Sequence, residues 1–313
     1  FLRSCYLVSG PMHIPDGFLS TPVWAGLGAA ATATVGVLAR RVQRELAESA
    51  VPRLGVMGAF VFAAQMINFP VAAGTSGHLV GSALLTYTLG AAPAALVMSA
   101  VLLLQALIFQ DGGILALGAN ISNMALAGVL AAHLCHRYLG RSGIRGMGLF
   151  AGGALSVLVA GSLALAELAL SGVRIPPAIL GVSLSLLALN GLIEGALTLG
   201  ILRALERLNP GWVRAPEASA RPALGVLLIA AILLVTAGVL VASAAPDSLD
   251  WLAEEIGLAE RARALVPTPF ADYQARFIAW PWLAQASAGV AGLAAAFAVS
   301  AALGRLLLRR RRG

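Results

Sequence analysis

Nine apolar runs separated by short polar breaks take up most of this chain and leave it few ways to fold. They fall at about 23–39, 54–69, 79–90, 93–109, 120–136, 147–170, 178–202, 223–244 and 283–304. A bilayer core takes ~20 helical residues, within a range of roughly 17–25. In lipid, every backbone polar group must be satisfied inside its own segment. The expected fold is therefore an all-α, polytopic transmembrane helical bundle of about nine spans. The 79–90 run is short, and only Gly90-Ala91-Ala92-Pro93 separates it from 93–109. Two short helices joined by a tight Gly/Pro turn are expected there, rather than one kinked helix. Composition removes the alternative of two soluble domains. Of 313 residues 59% are hydrophobic and only 11% charged, where a soluble domain carries about 25% charged.

The net charge of +7 would point to nucleic acid in a soluble chain, but its distribution argues otherwise. All 21 basic residues are Arg, and they lie mostly in short clusters between apolar runs, with no basic stripe interleaved with aromatics. With nine spans and the N-terminus outside, 16 of them fall on inside segments: Arg40, Arg41, Arg44 and Arg53; Arg137, Arg141 and Arg145; Arg203, Arg207, Arg214 and Arg221; Arg305 and Arg309 to Arg312. The positive-inside rule thus expects the N-terminus outside and the C-terminus inside. The partner is membrane lipid, and nucleic acid is excluded. Cys5 and Cys135 sit in unlike contexts and suggest neither a disulfide framework nor a metal pair. No phosphate-binding P-loop occurs, so any ATP hydrolysis belongs to other chains.

The chain divides near Leu208-Asn209-Pro210-Gly211-Trp212. Residues 208–222 read as a polar cytoplasmic linker, so the spans group as seven plus two. The last two bracket an outside loop at 245–281 that carries Asp247, Asp250, Glu254, Glu255, Glu260 and Asp272. The apolar period from Leu249 to Leu265 predicts a short amphipathic helix in it. The inverted repeats of many secondary transporters are not evident.

Several polar residues interrupt the apolar pattern. In Met12-His13-Ile14-Pro15-Asp16-Gly17, a histidine follows a methionine. Were Met12 the first residue, its α-amine, the deprotonated His13 amide and His13 Nδ1 would close two fused rings on one divalent ion. Such planar nitrogen donors suit Ni(II), Cu(II) and, less well, Co(II). Asn68-Phe69-Pro70 and Thr75-Ser76-Gly77-His78 place a second histidine on the same side, where a neutral imidazole adds another nitrogen or is satisfied by loop carbonyls. Asp111 reads as a solvated loop charge. Asn120 reads as the N-cap of the fifth span, and Asn123 as a residue that orients a ligand. His133, Cys135 and His136 mimic a metal cluster but lie at the opposite end, where partial positive charge suits a helix terminus. Glu167 and Glu194 lie within apolar runs and read as functional carboxylates or as hydrogen-bonding groups of the bundle.

MHIPDGFLS, INFPVAAGTSGHLVG, FQDGGILALGANISNM and GLIEGALT, in that order over roughly residues 12–207, together resemble the CbiM/NikM family. These are substrate-binding membrane components of energy-coupling-factor transporters for cobalt and nickel. The run Ala244 to Glu254 is similar to the PDGLE (NikN-like) domain, with Ser248 in place of Gly and Asp250 in place of Glu. The resemblance implies four parts: a leading segment 1–11 that is not native, an over-extended reading frame with Met12 the start; a metal-binding membrane domain at 12–207; the linker at 208–222; and a PDGLE-like domain at 223–313. It implies a near-planar four-nitrogen site from Met12, His13 and His78, supported by Asn68, Asn120 and Asn123. It further implies a transport subunit rather than an enzyme, in the plasma (inner) membrane of a prokaryote. Ni2+ or Co2+ would be its cargo, nickel first, with no permanent cofactor. Its partners would be a CbiQ/NikQ-like coupling protein and CbiO/NikO-like ATPases. Two alternatives stay open. One is an ion-coupled secondary metal transporter working without ATPases. The other is a membrane metalloenzyme, against which stands the lack of an HExxH or GxSxG partner for the histidines.

Overall fold

The structure, a computed structural model, describes residues 13–140, 144–209 and 221–312. Helices dominate: α1 Thr21–Glu45, α2 Val51–Gln65, α3 Ser82–Leu89, α4 Ala91–Phe109, α5 Leu117–Leu139, α6 Arg145–Leu170, α7 Pro177–Leu208, α8 Arg221–Thr236, α9 Ser248–Glu255 and α10 Pro281–Arg312. Among the described residues seven helices are long and apolar enough to cross a membrane: α1, α4, α5, α6, α7, α8 (counted through Leu240) and α10.

The second and third apolar runs make shorter helices. α2 has 15 residues and α3 has 8, which at 1.5 Å per residue gives about 22 and 12 Å. Both are wrapped by protein. Every residue of α2 except Pro52 is buried, as befits a helix that is apolar on all sides. It packs against α4, α8 and α10, so the last two helices share the core of the first block. Gly90, at φ 85, separates α3 from α4 as two helices. The chain between α2 and α3 departs from the all-α expectation. It holds a small antiparallel hairpin, β1 Phe69–Ala72 and β2 Thr75–Gly77, with Phe69 opposite Gly77. Irregular backbone of this kind is tolerated in a membrane protein where other protein buries it.

The amphipathic segment after α8 is shorter than the apolar period suggests. α9 stops at Glu255 because Gly257, at φ 68, closes it: Leu258 N–H reaches Ala253 C=O and Gly257 N–H reaches Glu254 C=O, the left-handed helix ending that glycine favours. Asp247 caps its start, accepting from the N–H groups of Leu249 and Asp250 at 2.7 and 2.9 Å.

Candidate metal site

The first described residue, His13, is buried, and Met12 lies outside the described residues. Ile14 is gripped from both sides. Its N–H donates to Asn120 Oδ1 at 2.8 Å, and its C=O accepts from Asn120 Nδ2 at 3.1 Å and Gly113 N–H at 2.9 Å. Two residues on, the Asp16 carboxylate accepts from the N–H groups of Ile114, Leu115 and Ala116 at 2.9, 2.8 and 3.1 Å. Those donors belong to the turn that leads into α5, whose first residue is Leu117, and the helix dipole favours a negative charge there. Asp16 therefore pins the turn before α5, and Asn120 does not make the N-cap that the sequence assigns to it. Asn120 lies inside α5, because the helix begins three residues earlier, and its amide serves as a clamp on the His13–Asp16 strap.

Gly112 and Gly113 make this close approach possible. A Cβ on Gly112 (φ +83) would lie 2.9 Å from His13 Cβ, and one on Gly113 would lie 2.2 Å from Asp16 Oδ1.

His78 follows β2 and is fully buried. The backbone after it is fixed by two long side chains. Glu194, from α7, accepts from Val80 and Gly81 N–H, both at 2.8 Å. Gln65, at the end of α2, donates to Val80 C=O at 2.8 Å. Glu194 thus holds the turn that carries His78. Burial first, and then the neighbouring His13, push the His78 pKa down to about 3, which keeps the imidazole neutral.

The two imidazoles meet with ring centroids 6.3 Å apart. A nitrogen ligand sits ~2.0–2.1 Å from a late first-row divalent ion and about 1.15 Å from its own ring centre, so two rings sharing one ion have centroids at most ~6.5 Å apart, a limit reached when they lie on opposite sides of it. The observed separation falls within that reach. His13 Nε2 and both ring nitrogens of His78 lack a hydrogen-bond partner among the described residues. Buried polar atoms left without partners call for an explanation such as an absent ion. His13 Nδ1 is engaged, 2.6 Å from Asp111 Oδ1. A fused chelate through Nδ1 thus requires that nitrogen to exchange Asp111 for the ion, whereas ligation through Nε2 does not.

Asp111 is buried, not a solvated loop charge. Its second oxygen accepts from the hydroxyl of Tyr273, a residue of the loop between α9 and α10. Burial, and next the Asp111 charge, hold the Tyr273 hydroxyl well above its usual pKa. The stretch between α8 and α10, to which this loop belongs, touches each motif of the site. Ser76 donates its N–H to Pro246 C=O and its hydroxyl to Ala245 C=O, while Arg263 N–H donates to Asp16 C=O.

Of the other sequence candidates, Asn123 donates to Glu167 Oε2 at 2.9 Å. Asn68 is half-buried and accepts from Ser243 N–H through its backbone carbonyl. His133, Cys135 and His136 lie on the last turns of α5, where the His136 ring sits 5.5 Å from that of Tyr87. Among the described residues no group of three or more His, Cys, Asp or Glu is placed to hold a metal. Sequence reading passed over Asp16, and gave Tyr273, Gln65 and Gln105 no role. Only the Asp16 position, inside its motif and facing the Gly-Gly pair of another, carried a signal.

Residues 13–212 match the family model of the cobalt uptake substrate-specific transmembrane region. The chain belongs to the CbiM family. Residues 221–309 match the PDGLE domain, so here a CbiM region and a PDGLE domain are fused in one chain. Relatives in this CbiM family of cobalt and nickel transport membrane proteins include the fused nickel transport protein NikMN of Rhodobacter capsulatus. It is 32% identical over 232 residues, covering 67% of this chain and 66% of that protein. The cobalt transport protein CbiM of Geobacter sulfurreducens is 32% identical over 273 residues, 78% of this chain and 76% of that one. A solved transition metal transporter matches with a TM-score of 0.55 at 30% identity, covering 62% of this chain and 92% of the other.

Proposed function

We propose that this chain is the substrate-capture subunit of an ATP-driven importer of the energy-coupling-factor type, binding Ni2+, and Co2+ second, in a four-nitrogen site. The donors are the Met12 amine, the His13 amide and imidazole, and the His78 imidazole. One observation supports the reading: two buried, neighbouring imidazoles with three nitrogens that have no hydrogen-bond partner among the described residues, at a separation within the reach of one ion. Asn120 supports the site through the strap that bears His13; Asn68 and Asn123 are its more distant supports. The chain works as nine spans in a prokaryotic plasma membrane, with the site on the outer face, the N-terminus outside and the Arg clusters inside. Its parts are the metal-binding domain at 12–207, the linker at 208–222 and the PDGLE domain at 223–313. A transmembrane coupling protein and cytoplasmic ATPases supply the work. Against an ion-coupled carrier stands the engagement of Glu194, whose two oxygens are taken by backbone N–H groups.

The test is uptake of radioactive Ni2+ by cells expressing the chain with and without the coupling protein and ATPases. Uptake that persists without them sinks the ATP-driven reading. Titration of the purified chain with NiCl2 tests the site itself: His78→Ala should lose high-affinity binding.

A further inference from the structure

A recess of about 850 Å3 lies between α1, α2, α5 and the turn from α3 to α4, a size within the ~300–1,000 Å3 of small-molecule sites. It is remote from the two histidines. Asn120, at the start of α5, clamps the His13 strap, whereas His133, on the recess wall, is about 20 Å further along that helix. The space opens where α3 ends early. That helix has 8 residues, and the chain turns back into α4 at Gly90, where an added Cβ would meet nothing within 4 Å.

The walls have two unlike ends. Arg41 on α1, Arg53 on α2 and His133 on α5 all line the recess, and each lies within two turns of the end of its helix. Further along the same helices the lining turns apolar, with Leu38, Leu126 and Val129. Thr34 and Ser122 are there too, but their hydroxyls donate back to the carbonyls of Ala30 and Gly118, at 2.8 Å each, so those donors are already used. Arg41 lies 3.6 Å from Glu45, a largely exposed pair worth little in water. Arg53 is only 6% exposed, so an anion that reaches it is attracted with little screening, and a planar guanidinium matches a phosphate.

We propose that this recess binds one anionic glycerophospholipid, its phosphate on Arg53 and Arg41 and an acyl chain along Leu38, Leu126 and Val129. Charge complementarity selects this occupant: an apolar depth ending in basic groups fits an amphiphile with a negative head. A transmembrane helix of a partner would instead bring apolar side chains to Arg53. Basic pockets between helices on the cytoplasmic side hold anionic head groups in this way. The assignment to the inner leaflet rests on the proposed orientation; the class of lipid does not.

The full chain, delipidated in detergent, is mixed with dioleoylphosphatidylglycerol or dioleoylphosphatidylcholine, and bound lipid is counted by native mass spectrometry. One copy of the anionic lipid should be retained in preference to the choline lipid. Arg41→Gln and Arg53→Gln should each lower that preference about fivefold. Ala92→Trp places an indole in the recess from the first turn of α4 and should abolish retention of both lipids. Arg309→Gln, at an exposed position near the C-terminus, should change nothing. Melting temperatures without lipid accompany each variant, and if Arg53→Gln fails to fold, Arg41→Gln and Ala92→Trp decide. Equal retention of the two lipids by the parent chain overturns the proposal. So does undiminished retention by Ala92→Trp, which would place the lipid on surface arginines. A last arm co-expresses the proposed coupling protein. If no lipid is retained and Ala92→Trp abolishes co-purification of that protein, the recess seats a protein helix and the lipid reading falls.

Discussion

A neutral, buried His78 makes a pH-dependent contribution to stability whose sign follows from its pKa. In the unfolded chain the imidazole titrates near 6.5, and in the folded chain near 3. Between these values the unfolded state binds the proton and the folded state does not, so stability is complete above pH 6.5 and is lost as pH falls toward 3. The loss is on the order of 1 kcal/mol per pH unit. Melting temperatures of the parent chain and His78→Gln, compared from pH 7 to 4.5 in detergent, should show a shallower pH slope for the variant; equal slopes would rule the contribution out. A second residue-scale prediction concerns the backbone donors. Inserting one alanine between Met12 and His13 leaves every ligand type in place but enlarges the chelate. It should weaken Ni2+ binding at least tenfold, whereas His133→Ala and His136→Ala should leave it unchanged. A silent insertion would remove the amine and amide from the site.

At the scale of elements, the site is assembled by the start of α5, the end of α2, the turn before α3 and one loop between α9 and α10. The closest fit is the Gly112-Gly113 turn against the His13–Asp16 strap. A methyl on Gly113 would meet Asp16 Oδ1 at 2.2 Å and Asp16 N at 2.4 Å, and neither the carboxylate nor the strap backbone can yield without losing its bonds to the turn before α5 and to Asn120. Gly113→Ala should therefore cost more nickel affinity than stability, since helix α5 persists while His13 is displaced. Gly26→Ala is the control: nothing lies within 4 Å of that position on α1, and alanine is the better helix former by up to ~1 kcal/mol. Equal nickel affinity in the two variants would show that the strap is not held by this contact.

For the whole molecule, the fused PDGLE domain is part of the core and not an appendage: α8 and α10 pack on α2, and the loop between them seats on the MHIPDG, TSGH and FQDGG segments. Truncation after residue 217 should accordingly weaken nickel binding as well as uptake. Sidedness can be measured by cysteine labelling in a chain with Cys5 and Cys135 replaced. Ser248 is buried and unsuited to it, whereas Glu260 and Ser49 are exposed. An impermeant maleimide added to intact cells should label Glu260→Cys and not Ser49→Cys, and the reverse pattern would invert the proposed orientation.

The sequence by itself determined the membrane-helical character, through the length and number of its apolar runs, and the membership in a metal-transport family, through motifs whose residues are contiguous. It also marked His13 and His78, because a histidine among apolar and small residues has few roles. What it left undecided were choices that depend on which elements face each other. Nothing local distinguishes Asp111 in a solvated loop from Asp111 buried between His13 and Tyr273, since its partners lie 98 and 162 residues away. Nothing local says that Asp16 pins the turn before α5 and that Asn120 grips the strap rather than capping the helix, a role its residue type also suits. The helical period states which face of a segment is apolar, but not which neighbour covers it. That pairing is decided by the packing of the bundle, and with it the groups that hold the two histidines.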